Sequence, residues 1–335
     1  SINLDTQINS IDLTSNHAIT EDASFNFDYL VFATGASHRL LPIENADSKN
    51  LFYLRQITDV LSMHKQITPH KEIVLIGGGY IGLEVASAMI ELGLKVTILE
   101  AEERILQRVT SPEVSQFYND YHSKKGVRII CNAKVTNLNA ENQMINSVSL
   151  ESGETLAADI VLVGIGAIPN TQLAASIGLE CDNGIKTDQY CRTSIPNILA
   201  VGDCTSSFNS LYNKEFRLES VPNALAQSKV ASSSILGNEL FNNEMPWFWS
   251  DQYDLKLQMA GLSSGYDECH IIGDTDSAEF IACYGKEGYL IAVDSVNQSR
   301  QFMLFKKALG NGFKLEMSLI KDKNFQPESI FSGSN

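Results

Sequence analysis

The sequence predicts an α/β protein built around a buried parallel sheet and closed by a smaller α+β portion. Two observations carry this. Between Ile73 and Glu100, an apolar β-branched run, a glycine-rich turn, a helical period and a second apolar run follow one another. Beyond the stretch PWFWSDQ, residues 246–252, the strands read as short and antiparallel.

The first run, Ile73-Val74-Leu75-Ile76, suits a strand buried on both faces. Gly77, Gly79 and Gly82 follow at G-x-G-x-x-G spacing. Ile81, Val85, Ala86, Met89 and Ile90 then recur with helical spacing, and Gly93 sits where a residue just past a helix belongs. Residues 95–99 form a second buried run that ends at Glu100. Strand, turn, helix, strand and terminal acid make the βαβ fingerprint of a Rossmann-like unit. In it Gly77 permits the tight turn, Gly79 admits a pyrophosphate to the backbone, and Gly82 lets helix and strand pack closely. The helix start offers free N–H groups to phosphates. Glu100 is placed to accept hydrogen bonds from a ribose 2′-hydroxyl, and its charge would repel a 2′-phosphate, so NAD is favoured over NADP. The competing reading is a glycine-rich turn that binds nothing. Glu84 follows the fingerprint by two residues and is expected to open the helix, where the dipole favours a carboxylate.

The 335 residues suggest two or three domains. No apolar run reaches bilayer-spanning length and no signal-peptide pattern is present. The net charge of −15 argues against nucleic acid and against an anionic membrane surface. Cys131, Cys181, Cys191, Cys204, Cys269 and Cys283 form no C-x-x-C or other close pair. This argues against a zinc site, with no metal expected, and against a redox dithiol. Scattered reduced thiols suit a cytoplasmic protein. Ser1 is not a methionine and the first residues already read as strands, so the chain is expected to begin inside a domain.

Taken in order, residues 2–32 read as a small β-meander, with residues 29–32 a buried strand running into Ala33-Thr34-Gly35. A strand ending in Thr-Gly exposes N–H groups at the edge where α/β folds bind ligands. Residues 38–50 read as a linker and residues 54–63 as a short helix. Arg104 and Arg108 are candidates to reach a pyrophosphate. Residues 112–125 read as a helix; 127–131, 134–139 and 145–150 read as strands of a meander. Residues 159–166 form another buried strand, ending in Gly164-Ile165-Gly166, against which a flat ring could lie. Residues 198–201 form a strand leading to Gly202-Asp203, where the carboxylate suits either a polyol or a helix N-cap. Ser220 caps and Pro222 opens a helix to about residue 236, whose positive end could stabilise an anionic ring edge. Further strands fall at 256–260, 270–273, 279–284 and 289–293, with a closing helix at 301–309. Trp247 and Trp249 suit core or interface positions.

Six blocks, IGGGYIGLEVA, RVTSPEVSQFY, GIGAIPN, VGDC, ESVPNALAQ and PWFWSDQY, together resemble the FAD-dependent NADH:ferredoxin reductases that serve oxygenases. The resemblance implies two Rossmann-like dinucleotide-binding domains and a C-terminal α+β domain. The FAD domain would take residues 1–36 and 167–242, the inserted NAD domain 37–166, and the C-terminal reductase domain 243–335. Thr34, Gly35, Arg55, Asp203 and Val221 match FAD-contacting positions. Gly77, Gly79, Tyr80, Ile81, Glu100, Arg108, Gly164, Ile165 and Gly166 match NAD contacts. Glu84 matches a catalytic acid beside the flavin and near the nicotinamide, and Trp249 an aromatic residue by the flavin where the redox partner docks. The family's first glycine-rich strand, and a lysine expected to pair with Glu84, are absent from these residues; His38-Arg39 stands where the family has Pro-Arg.

The implied activity passes electrons from NADH through FAD to a [2Fe–2S] ferredoxin feeding an oxygenase or cytochrome P450. The alternatives are an NADH oxidase or other flavin reductase, a nucleic-acid-binding relative that the acidic charge disfavours, and a chain that binds NAD alone. Arg300, Lys306, Lys307, Lys314, Lys321 and Lys323 outnumber Glu316 and Asp322 in their stretch. They form either a steering face for an acidic partner or an ordinary solvated surface.

Overall fold

The computed structural model describes residues 1–331. They form two compact units: residues 1–37 with 168–248, and residues 38–167 with the chain from Trp249 onward.

The second unit contains a five-stranded sheet in the order Leu51–Phe52, Ile160–Val163, Glu72–Ile76, Lys95–Leu99, Arg128–Ile130. Every pairing is parallel, and Val163, Ile76, Leu99 and Ile130 lie level with one another. Covered on both faces, its central strands can be apolar throughout, and Ile160–Val163 is buried at every position. The helix Tyr80–Glu91 follows the glycine turn, and Gly93 takes the left-handed conformation behind it, with φ +81°. The helix starts at Tyr80, so Glu84 lies past the first turn. The helix-dipole account of that carboxylate therefore fails, since the effect fades within one turn.

Three further expectations change here. Arg128–Ile130 belongs to the parallel sheet and not to the meander, because the helix Pro112–Lys124 carries the chain back to the sheet edge. The meander consists of Val135–Glu141, Met144–Leu150 and Thr155–Ala157. The stretch read as a linker packs Leu41 and Ile43 against the core and runs into the edge strand Leu51–Phe52. Asn50 explains why so polar a stretch is held. Its buried amide donates to the carbonyls of Ile145 and Asp159, and its oxygen accepts from Ile145 N, joining meander to sheet.

An antiparallel sheet follows, in the order Trp247–Gln252, Leu255–Gly261, Tyr289–Val296, Glu279–Lys286, Glu268–Asp274, with the helix Ser299–Gly310 burying Phe302 and Phe305. It packs on the helix Pro112–Lys124. Phe117 meets Phe280 edge-on at 4.9 Å, and Ser111 N, at the helix cap, donates to the Tyr284 hydroxyl at 3.0 Å. That hydroxyl donates in turn to the buried Asp294.

In the first unit a three-stranded meander spans Ser10–Asp12, His17–Ile19 and Ser24–Asn26. Ile2 and Leu4 lie outside it, 88% and 80% exposed. Leu30–Phe32 pairs in parallel with Ile198–Ala200. Phe32 is buried but Val31 is exposed, so this strand is covered on one face only. Ile185–Thr187, Thr205–Asn209 and Lys214–Phe216 form a further sheet. The helix Val221–Ile235 opens as expected, with Ser220 Oγ accepting from Asn223 N at 3.3 Å and Pro222 in the first turn. No helix among the described residues is long and apolar enough to cross a membrane.

Burial pushes the Asp294 carboxyl up to about 7, partly offset by the Tyr284 hydroxyl. The folded state thus binds this proton more tightly than the unfolded chain. The resulting stability is present below about pH 4 and is lost as pH rises through about 7. Asp294→Asn should flatten that dependence. The variant should gain on the order of 4 kcal/mol over the parent at pH 8 and converge with it only near pH 4, as read by thermal melts across that range.

Candidate functional site

In the second unit the level register brings three strand ends to one edge. Gly77 N donates to Leu99 O and Gly164 N to Ile76 O, both at 2.8 Å. The glycine turn, Glu100 and the Gly164–Gly166 turn therefore share the carboxyl edge of one sheet, the position where open α/β sheets bind ligands. A Cβ on Gly77 would stand 2.4 Å from Gly164 O, and one on Gly82 2.1 Å from Gly77 O. A Cβ on Gly79 would meet nothing within 4 Å. Two glycines are thus required by the protein's own packing, whereas Gly79 leaves open space at the helix N-terminus. That is the cradle a pyrophosphate needs.

Glu100 is buried. Its Oε2 accepts from Gly78 N at 2.8 Å and its Oε1 from Glu102 N at 2.9 Å. Each oxygen retains a lone pair for a ribose hydroxyl. Gly78 was not singled out in the sequence, yet its N–H fixes this carboxylate. Ile81 is 53% exposed on the first turn of the helix, and Tyr80 beside it donates its hydroxyl to Met259 Sδ at 2.8 Å. Arg104 does not serve as a phosphate ligand. Its guanidinium is committed to the carbonyls of Gln107, Thr110 and Ser111, so it staples its own loop. Arg108 is exposed in that loop, which Leu106 N ties to Gly78 O at 3.0 Å. Arg55 follows the edge strand Leu51–Phe52, and its backbone N–H caps onto Asp59.

Glu84 is half-buried on the same helix. Burial raises its carboxyl above the usual range, the Ser250 hydroxyl opposes this, and the Asp251 charge adds to it. Ser250 Oγ donates to Glu84 Oε1 at 2.5 Å. Trp249, next in the chain to Ser250, is 40% exposed.

The first unit holds a second edge of the same kind. Thr34-Gly35 follows Leu30–Phe32, and Gly202-Asp203 follows its parallel neighbour Ile198–Ala200, with Val201 N donating to Phe32 O at 2.9 Å. Asp203 sits in a single 3-10 turn, Gly202–Cys204, so it is not the N-cap of an α-helix. Gln227, from the helix Val221–Ile235, accepts from Gly202 N at 2.6 Å and from Thr205 Oγ1 at 3.2 Å. That helix, whose first residue Val221 is exposed, is thereby fixed to the turn that carries Asp203. Asn170 ties down the other loop: its N–H donates to Gly35 O, its amide to Thr34 O, and its oxygen accepts from Ser37 Oγ. A carboxylate, exposed loop N–H groups and a helix N-terminus at one edge fit the ribityl and phosphates of FAD. Gln227 and Asn170 were missed as individual residues, although both lie in blocks quoted for the resemblance.

All six cysteines are free thiols. Burial pushes Cys191 up to about 12 and Cys269 to about 11, and raises Cys131, Cys181 and Cys283 as well. Thiols held protonated in this way are poor nucleophiles.

Two sheets with glycine-ended strands, one of them beside a buried carboxylate, are the features of a dinucleotide-binding protein. Residues 2–228 match the pyridine nucleotide-disulphide oxidoreductase family and residues 247–330 the reductase C-terminal family, and the chain belongs to the former. It is 37% identical over 335 residues to putidaredoxin reductase of Pseudomonas putida, covering 98% of this chain and 79% of that protein. It is 38% identical over 309 residues to rhodocoxin reductase of Rhodococcus erythropolis, covering 92% and 72%. Its fold matches the crystal structure of the covalent putidaredoxin reductase–putidaredoxin complex with a TM-score of 0.94 at 37% identity, covering 98% of this chain and 80% of that one.

Gly79→Ala separates packing from binding. Its Cβ meets open space, so the melting temperature should move by no more than about 2 °C. Affinity for NADH should fall roughly tenfold or more, because the methyl occupies the pyrophosphate seat. Isothermal titration beside a thermal melt checks both.

Proposed function

We propose that this chain acts as an FAD-dependent, NADH-oxidising reductase that delivers electrons to a [2Fe–2S] ferredoxin serving an oxygenase or cytochrome P450. The observation that carries this is the shared edge of Gly77–Gly82, Glu100 and Gly164–Gly166. Support comes from relatives 34–38% identical that are named as reductases of putidaredoxin, rhodocoxin and ferredoxin.

NADH takes its pyrophosphate against Gly79 and the N-terminus of the Tyr80 helix, where free N–H groups and the dipole favour anions. Glu100 receives the ribose hydroxyls. Ile81 and the Gly164–Ile165–Gly166 turn give the nucleotide apolar and backbone surface, and Arg108 neutralises phosphate. Glu84 stands beside the nicotinamide, its carboxyl held high by burial and steered by Ser250. Asp203 takes the ribityl hydroxyls of FAD, while Thr34-Gly35 and the Val221 helix N-terminus face its phosphates and ring edge. FAD, when bound, supplies the conversion of a two-electron donor into single-electron delivery. The six reduced thiols suit work in the cytoplasm.

The basic stretch near the C-terminus is partly neutralised within the protein. Lys321 pairs with Glu268, Arg300 lies 3.9 Å from Glu328, and Lys307 lies over the Phe331 ring. This favours the reading as solvated surface. A rubredoxin–NAD(+) reductase of Pseudomonas putida, 36% identical over 316 residues, marks rubredoxin as the second acceptor to test.

The test is steady-state reduction of a [2Fe–2S] ferredoxin and of a rubredoxin by the flavin-loaded protein. NADH should exceed NADPH at least roughly tenfold in kcat/KM, because Glu100 meets the 2′-phosphate. Reduction of rubredoxin alone would replace the ferredoxin reading. Blocking accessible thiols with N-ethylmaleimide should leave the rate unchanged; abolished turnover would point instead to thiol chemistry.

A further inference from the structure

A row of side chains leads away from Glu84 into the protein. Ser250 Oγ donates to Glu84 Oε1 at 2.5 Å, and Gln252 Nε2 donates to Ser250 Oγ at 3.0 Å. Gln252 Oε1 lies 2.8 Å from His122 Nε2, and the Tyr253 hydroxyl lies 3.4 Å from His122 Nδ1. Ser250 is 1% exposed, and Gln252 and His122 are fully buried.

The chemistry of the row couples the orientation of each member to the next. With the amide oxygen of Gln252 facing the imidazole, His122 carries its proton on Nε2, and Nδ1 accepts from Tyr253. Burial lowers the pKa of the imidazole, and the hydrogen bond with Gln252 opposes this. With its oxygen engaged, Gln252 presents its NH₂ to Ser250. That leaves the serine proton one direction, toward Glu84. Were the amide flipped, its NH₂ would oppose the His122 N–H, and its oxygen would draw the serine hydroxyl away from the carboxylate. The tautomer of one residue thus selects the amide orientation of the next, and the amide selects the rotor of the third. An amide does not readily hand a proton along, so the row is a brace and not a proton wire.

We propose that His122 and Gln252 are positioning residues that act through Ser250 to hold the Glu84 carboxylate in one orientation, with Oε1 engaged and Oε2 left for the nucleotide. This rests on Glu84 standing beside the nicotinamide.

The test uses the full-length, FAD-loaded enzyme. Flavin reduction by NADH is followed in single turnovers, and NAD+ affinity by calorimetry, in the parent, Gln252→Leu, Glu84→Gln and the double variant. Gln252→Leu should slow reduction about tenfold in the parent and by less than about twofold in the Glu84→Gln background, as expected for residues that act as one unit. Ser250→Ala should reproduce the loss and Ser250→Thr should restore it, which keeps the test decisive even where Gln252→Leu folds poorly. In ¹⁵N-histidine spectra, His122 should hold its proton on Nε2 in the parent. Additive losses, or a proton on Nδ1, would overturn the brace while Glu84 keeps its role. Unchanged reduction and NAD+ affinity in Glu84→Gln would overturn both.

Discussion

The interaction on which the rest depends is the pair of backbone hydrogen bonds that closes the carboxyl edge of the nucleotide sheet. Gly77 N reaches Leu99 O, and Gly164 N reaches Ile76 O. Each binds the residue just beyond one strand to the end of its neighbour, so three strands stop level. The glycine turn, the acid and the second glycine turn then face the same space. This closeness leaves no room for a side chain at Gly77, because Gly164 O already occupies it. The glycine motif is therefore a packing constraint first, and the space it leaves at Gly79 is the functional remainder.

That separation explains how much of the site was legible. The fingerprint, Glu100 and the Gly164 turn could be read because strand, turn and helix each follow local rules, and their alternation fixes a parallel sheet. Gly78, Gln227 and Asn170 escaped because their roles lie in long-range hydrogen bonds. Gln227 accepts from a turn 25 residues away, and Asn170 clamps a loop more than a hundred residues earlier. Arg104 escaped for the opposite reason: a loop arginine looks available in sequence, and only the folded loop shows its donors taken by its own carbonyls.

The fold was legible where apolar periodicity was strong and obscure where polar residues build strands. Thr205–Asn209 reads TSSFN and Lys214–Phe216 reads KEF, and neither carries an alternation that separates it from a turn. Arg128–Ile130 was visible as a strand, but its neighbour was not, because the sheet a strand joins is decided by the helix that delivers it. Glu84 shows the same limit. Its distance from the helix start moved by a few residues, and with that the dipole gave way to Ser250 as the partner that matters.

The two compact units interleave along the chain: one takes residues 1–37 and 168–248, the other the intervening segment and everything from Trp249. A ribosome releasing this chain from its amino end emits the parallel sheet whole, but withholds its packing partner, the sheet carrying Tyr284 and Asp294, until about 130 further residues, through Val296, have emerged. During that interval the Ser111 end of the helix Pro112–Lys124 stands uncovered, and Phe117 with it. Vectorial synthesis thus imposes a waiting period on the nucleotide half, in which an aromatic face that the finished molecule packs against Phe280 is open to water.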